Sequence, residues 1–143
     1  MKQARLVVAA GLAGLAVLAG SGCGGDDAPE PQQAAVDCEG AAIQANLPPE
    51  FPKLADVTYT KAVAAGPSKI VDGYYEGRLE DAYAEFKAAL RAAGYDVIFD
   101  EIEAQDSEVA YVGGEPERSG FVALRENCEQ GGRISVHITN RPA

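Results

Sequence analysis

The stretch LEDAYAEFKAALRAA, Leu79 to Ala93, decides how the rest of the chain is read. Leu79, Ala82, Tyr83, Phe86, Leu90 and Ala93 recur at three- and four-residue steps and fall on one stripe of a helix. Glu80, Asp81, Glu85, Lys87 and Arg91 lie off that stripe, so one face seeks a core and the other seeks water. Acids in the first turn and bases in the last two complement the helix dipole. Gly94 then stands where a left-handed cap is wanted, and Tyr95-Asp96-Val97-Ile98-Phe99 turns to strand-like composition.

Working outward, two strands are expected before the helix. Val57 to Val63 and Ser68 to Glu76 are rich in β-branched and aromatic residues, with Gly66-Pro67 as the turn between them. Four follow it: Tyr95 to Ala104, Glu108 to Gly113, Gly120 to Glu126 and Arg133 to Thr139. Their turns fall at Gln105-Asp106-Ser107, at Gly113 to Pro116 and at Gly131-Gly132. The last strand alternates cleanly, with Ile134, Val136 and Ile138 on one face and Ser135, His137 and Thr139 on the other. Such alternation marks an antiparallel sheet with one face buried and one wet. The expectation is an α+β domain of two layers, ordered β-β-α-β-β-β-β, with one main helix packed on one face of the sheet. Cys38 to Asn46 reads as a short helix or turn. Leu47-Pro48-Pro49-Glu50-Phe51-Pro52 cannot be helix interior and reads as an irregular edge that packs its Leu and Phe.

Length and charge bound the rest. The 143 residues have room for one domain, and the formal net charge is −10. No basic stripe offsets that acidity, so phosphate backbones are repelled and nucleic-acid binding is excluded as an expectation. Met1 to Arg5 is a short basic start, and Leu6 to Ala19 is an uncharged apolar run, short for a membrane span. Gly20-Ser21-Gly22-Cys23 follows, and then the acidic GGDDAPEPQQ.

A basic end, an apolar run, small residues and a Cys resemble the signal of bacterial lipoproteins. That resemblance implies a signal peptide over 1–22 and diacylglycerol on Cys23, which becomes the first residue. It also implies a protein held at the outer face of the cytoplasmic membrane; composition reads 23–36 as a flexible acidic linker and 37–143 as a single folded domain. Gly20 departs from the pattern, where an aliphatic residue is usual, and Val17-Leu18-Ala19 suits an ordinary signal-peptidase site that would release a soluble protein. Without Lys2 and Arg5 the chain keeps 10 bases against 22 carboxylates, a net charge of −12. With Cys23 lipidated, Cys38 and Cys128 are left as a pair in an oxidising compartment, and a disulfide between them is expected. The competing reading is two buried free thiols.

The side chains that carry chemistry have bland readings here. His137 is the sole imidazole, on the polar face of its strand, where a surface histidine is the expected state. Asp100, Glu101, Glu103, Asp106 and Glu108 form the densest carboxylate run, but they lack the spacing of a calcium loop and read as solvated hairpin charge. Glu76, Glu80 and Asp81 near the helix start could pair for acid/base work, but the dipole accounts for Glu80 and Asp81 without any substrate. The glycine pairs lie between strands and so read as turns, and no nucleophile-elbow, zinc-protease or Walker pattern is present. No metal and no cofactor is implied. The expected task is therefore non-enzymatic binding: a membrane-tethered module offering an open sheet face to an envelope protein partner. The alternative is a small-ligand carrier whose cleft lies between helix and sheet, lined by Tyr83, Phe86 and Leu90.

Overall fold

The structure is a computed structural model and describes residues 35–143. Seven elements follow in order: β1 (Val57–Ala65), β2 (Ser68–Glu76), α1 (Leu79–Ala92), β3 (Tyr95–Ile102), β4 (Asp106–Gly113), β5 (Arg118–Arg125) and β6 (Arg133–Pro142). The fold is the expected two-layer α+β arrangement. All six strands form one antiparallel sheet in the order β1-β2-β6-β5-β4-β3. The β1–β2 hairpin comes first, α1 carries the chain to the far edge, and the β3-to-β6 meander returns until β6 closes against β2. That closing pair joins residues about 60 apart in sequence, as in Tyr75 opposite Ile134.

The helix forms and stops for the reasons its sequence carries. Leu79, Ala82, Phe86 and Leu90 are buried, and Glu80 and Asp81 occupy its first turn. The N–H of Glu80 and the neighbouring Arg78 guanidinium hold the Glu80 carboxyl below its ordinary range. At the other end Ala93 caps the helix, and Gly94 takes φ 83°, a left-handed conformation that glycine adopts without a Cβ clash.

The core lies between α1 and the inner face of the sheet, where Val71, Val109, Tyr111, Val122, Leu124, Val136 and Ile138 are fully buried. Phe51, Tyr95 and Tyr111 pack together at its centre with ring centroids 5.2–5.9 Å apart, Tyr95 edge to face with both partners and Phe51 tilted on Tyr111. Leu47 and Phe51 are buried in the same cluster, so the proline-rich stretch is the packed irregular edge that was expected.

Several boundaries differ from the sequence reading. Cys38 to Asn46 is not helical, because the Ile43 N–H donates to the Tyr59 carbonyl at 2.8 Å and draws the segment out along β1. The β3–β4 turn comes earlier than Gln105-Asp106-Ser107: the Glu103 N–H closes it onto the Asp106 carbonyl, and Ser107 sits buried inside β4. β6 runs to Pro142 because Asn140 is buried, donating to the Tyr111 hydroxyl at 2.9 Å and accepting from Arg118 at 2.8 Å. Cys38 and Cys128 form a disulfide across a sequence separation of 90, and Arg133 donates to the Cys38 carbonyl at 2.7 Å. The bridge ties the segment before β1 to the loop after β5.

Candidate functional site

The helix covers one face of the sheet, and strand register fixes what the other face displays. Side chains directly opposite each other in an antiparallel pair share a face. From edge to edge, Val63 faces Ile70, Ile70 faces Thr139, Thr139 faces Phe121, Phe121 faces Ala110, and Ala110 faces Phe99. This is one mostly apolar band across all six strands on the side away from α1. Five strand spacings of about 4.8 Å make it roughly 24 Å long. It floors an open groove of about 510 Å³ whose walls include Ile70, Ile98, Phe99, Ala110 and Phe121.

A bulge in β3 makes the band unusual. The register slips between Val97 and Phe99, so Ile98 is an extra residue and both Ile98 and Phe99 reach the groove. They are 66% and 50% exposed, the two most exposed large apolar side chains among the described residues. An exposed Leu or Ile alone needs no explanation, but two adjoining ones at the rim of an apolar groove mark a contact surface.

A charged row runs beside the band, one step along the strands. Lys61 faces Asp72, Asp72 faces His137, His137 faces Ala123, Ala123 faces Glu108, and Glu108 faces Glu101. Asp72 is almost buried and binds His137 Nδ1 at 2.6 Å and Lys61 Nζ at 3.7 Å. His137 is on the polar face as expected, but it has a carboxylate partner that sequence reasoning missed. Its ring also stands 5.9 Å from that of Phe121, which joins the charged row to the apolar band. The Thr139 hydroxyl, two residues along the same face of β6, accepts from the Phe121 N–H at 3.2 Å. Glu101 and Glu108, at the far end of the row, oppose each other directly. Neither has an ion-pair partner among the described residues, so two like charges share a cross-strand position.

The cleft expected at Tyr83, Phe86 and Leu90 is not there. Phe86 and Leu90 have no exposed surface because the helix packs directly on β3, β4 and β5. Tyr83 lies at the helix flank, where its hydroxyl donates to Asp100 and accepts from Lys87 Nζ at 2.9 Å. Lys87 also reaches Asp100 at 2.5 Å. That contact, helped by Tyr83, holds the Asp100 carboxyl low and the Lys87 ammonium high. The groove on the opposite face is a concave surface lined mostly by apolar side chains.

The remaining candidates resolve into structure. Burial pushes the Tyr59 hydroxyl up to about 12; burial and then the Glu85 carboxylate do the same to Tyr75, which donates to Glu85 at 3.1 Å. Burial raises Tyr95 and Tyr111 as well, and all four of these tyrosines belong to the core cluster. Glu76 pairs with Arg133 at 3.2 Å and Glu80 with Arg78 at 3.3 Å. Of the acidic run, Asp100 turns inward to α1 while Glu101 and Glu108 flank the groove, so the hairpin splits it between two faces. No group of three or more His, Cys, Asp or Glu able to hold a metal ion occurs among the described residues. Cys23 lies outside the described residues. Compared with protein-family models, curated proteins and solved structures, the chain matches none of them.

Proposed function

We propose that this chain is a lipid-anchored, extracytoplasmic binding module, non-enzymatic, that holds a segment of an envelope protein on the open face of its sheet. The observation that carries the reading is the apolar band with Ile98 and Phe99 exposed at its rim. A folded domain that keeps two large apolar side chains in water beside a groove gains by covering them, at about 25 cal/mol per Å² of apolar surface. The anchor is the lipid on Cys23, and the acidic residues 24–36 act as the tether. Tethering raises the effective concentration of a partner in the same membrane, so a contact of one groove's size suffices. Net acidity argues against nucleic acid as the partner.

Photo-crosslinking in native membranes tests the reading. A photoreactive phenylalanine analogue replaces Phe99, and in a second version Ala84, which is exposed on the outer side of α1. The expected result is a discrete product from position 99 and none from position 84. Equal labelling from both positions, or from neither, removes the open face as the recognition surface. The intact mass of the extracted protein tests the anchor separately: it should match residues 23–143 plus lipid, and a lipid-free mass beginning at Gly20 replaces anchoring with secretion.

A further inference from the structure

The partner's chemistry can be drawn from the charges around the groove, on the premise that the open face is the recognition surface. From Tyr95 to Glu117 the chain carries eight carboxylates and no Lys or Arg. Three of them bracket the exposed end of the apolar band. Glu101 and Glu108 stand on one side of Phe99, and Asp96, opposite Val112, stands on the other. The Glu101–Glu108 opposition, which has no ion pair among the described residues, carries an electrostatic cost that a cation beside both would reduce. At the β6 end the sign reverses: Arg141 lines the groove, with its Nε 3.4 Å from the Ser119 hydroxyl.

The direction of the band selects the shape of the occupant. A strand added to β3 would run along the edge, where the bulge at Ile98 breaks regular pairing. The band crosses the strands instead, and a helix laid across the sheet presents apolar anchors every three or four residues along such a line. At 1.5 Å per residue, roughly 24 Å of band takes a helix of about 16 residues. A second copy of this chain is disfavoured, because each copy cleaved before Cys23 has a net charge of −12 and brings its own carboxylates to the face. An anionic bilayer is disfavoured for the same reason.

We propose that the groove receives a cationic amphipathic helix of about 16 residues. Its apolar stripe lies on the band, its Lys or Arg residues lie over Glu101, Glu108 and Asp96, and its far end tolerates an acid beside Arg141. The cations bring the opposed carboxylates a shared partner, and the acidic flanks exclude anionic amphipathic segments of the same shape.

The test uses the full lipidated chain in nanodiscs of zwitterionic lipid. The probe is a labelled 16-residue Leu/Lys peptide with one apolar stripe, compared with its Leu/Glu counterpart by fluorescence anisotropy. The Leu/Lys peptide is expected to bind at least about tenfold more tightly than the Leu/Glu peptide. Glu101→Gln/Glu108→Gln, a surface change of equal size, is expected to weaken it about tenfold and to flatten its salt dependence. Phe99→Ala is expected to weaken both peptides. Equal binding of the two peptides, equal binding to empty nanodiscs, or indifference to Glu101→Gln/Glu108→Gln overturns the proposal. Dimerisation that is lost in Phe99→Ala, without peptide binding, overturns it in favour of a second copy. A position-99 crosslink in native membranes, together with no peptide binding, removes the cationic helix and leaves the recognition face standing. Failure of both removes the face as well.

Discussion

Removing the disulfide by Cys38→Ala/Cys128→Ala should cost this domain a large part of its stability. The bridge spans a sequence separation of 90, and the loop-closure relation for about 90 residues gives roughly 4.6 kcal/mol at 25 °C. Cys38 is also buried, so its lost sulfur adds about 1 kcal/mol or less. A domain of this size typically has about 5–15 kcal/mol in total, so the variant should sit near the edge of folding. The mechanism makes a second demand. If the bridge acts by restricting the unfolded chain, its removal lets that chain expand, and the denaturant slope should rise while the midpoint falls. Urea unfolding of the full chain, followed by far-UV circular dichroism with and without reductant, measures both. Reductant should lower the midpoint of the native chain and leave the double variant unchanged. A loss below about 1 kcal/mol would refute the chain-entropy reasoning, and a native chain indifferent to strong reductant would refute the bridge.

Three further outcomes follow from the packing. Phe86 has no exposed surface, so Phe86→Ala should destabilise by about 3–5 kcal/mol in urea, while an open cleft at that position would make the change nearly neutral. A Cβ on Gly120 would lie 1.9 Å from the Thr139 carbonyl oxygen, held in the β5–β6 ladder, and 2.8 Å from the Tyr111 hydroxyl, held by its hydrogen bonds to Thr139 and Asn140. Gly120→Ala should therefore cost about 3 kcal/mol, whereas Gly131→Ala, with nothing within 4 Å, should change the urea midpoint little; equal effects would contradict the register. The Lys87–Asp100 contact links stability to pH at both ends. Asp100 is held low, so its contribution is complete above the ordinary Asp value of about 3.9 and fades as pH falls through the lower folded value. Lys87 is held high, so its contribution is complete below about 10.4 and fades as pH rises through the higher folded value. Asp100→Asn should flatten both limbs of a melting-temperature profile, and unchanged limbs would remove the pair from the account.

Local signals carried the fold well. The stripe from Leu79 to Leu90 and the Gly94 stop placed the helix almost to the residue, and the alternation of Ile134, Val136 and Ile138 placed the last strand and its start, though not its end. The Gly66-Pro67 turn gave the first hairpin for the same reason: its information lies within a few residues. What stayed hidden was long-range. Asp72 and His137 are 65 positions apart and meet only because β6 closes against β2, which nothing in either strand announces. The bulge that turns Ile98 and Phe99 onto one face is a one-residue slip, and a period-two reading of Tyr95 to Ala104 passes over it. The expected cleft at Tyr83, Phe86 and Leu90 came from treating a core stripe as a lining, since amphipathic spacing marks burial and cannot tell a filled core from an open one. Cys38 to Asn46, read as a short helix or turn, was hidden for a long-range reason too: its Ile43 N–H bonds to the Tyr59 carbonyl at the sheet edge, which the local sequence does not announce.

Carbene footprinting of the protein in its native membranes, set against the same protein after purification in detergent, tests the central claim most directly. Ile98 and Phe99 should label strongly in the purified chain and lose most of that labelling in the membrane. Ala84, Ala88 and Arg91, on the exposed side of α1, should label equally in both. Unchanged labelling at Ile98 and Phe99, or protection confined to α1, would contradict the open sheet face as the surface this protein uses.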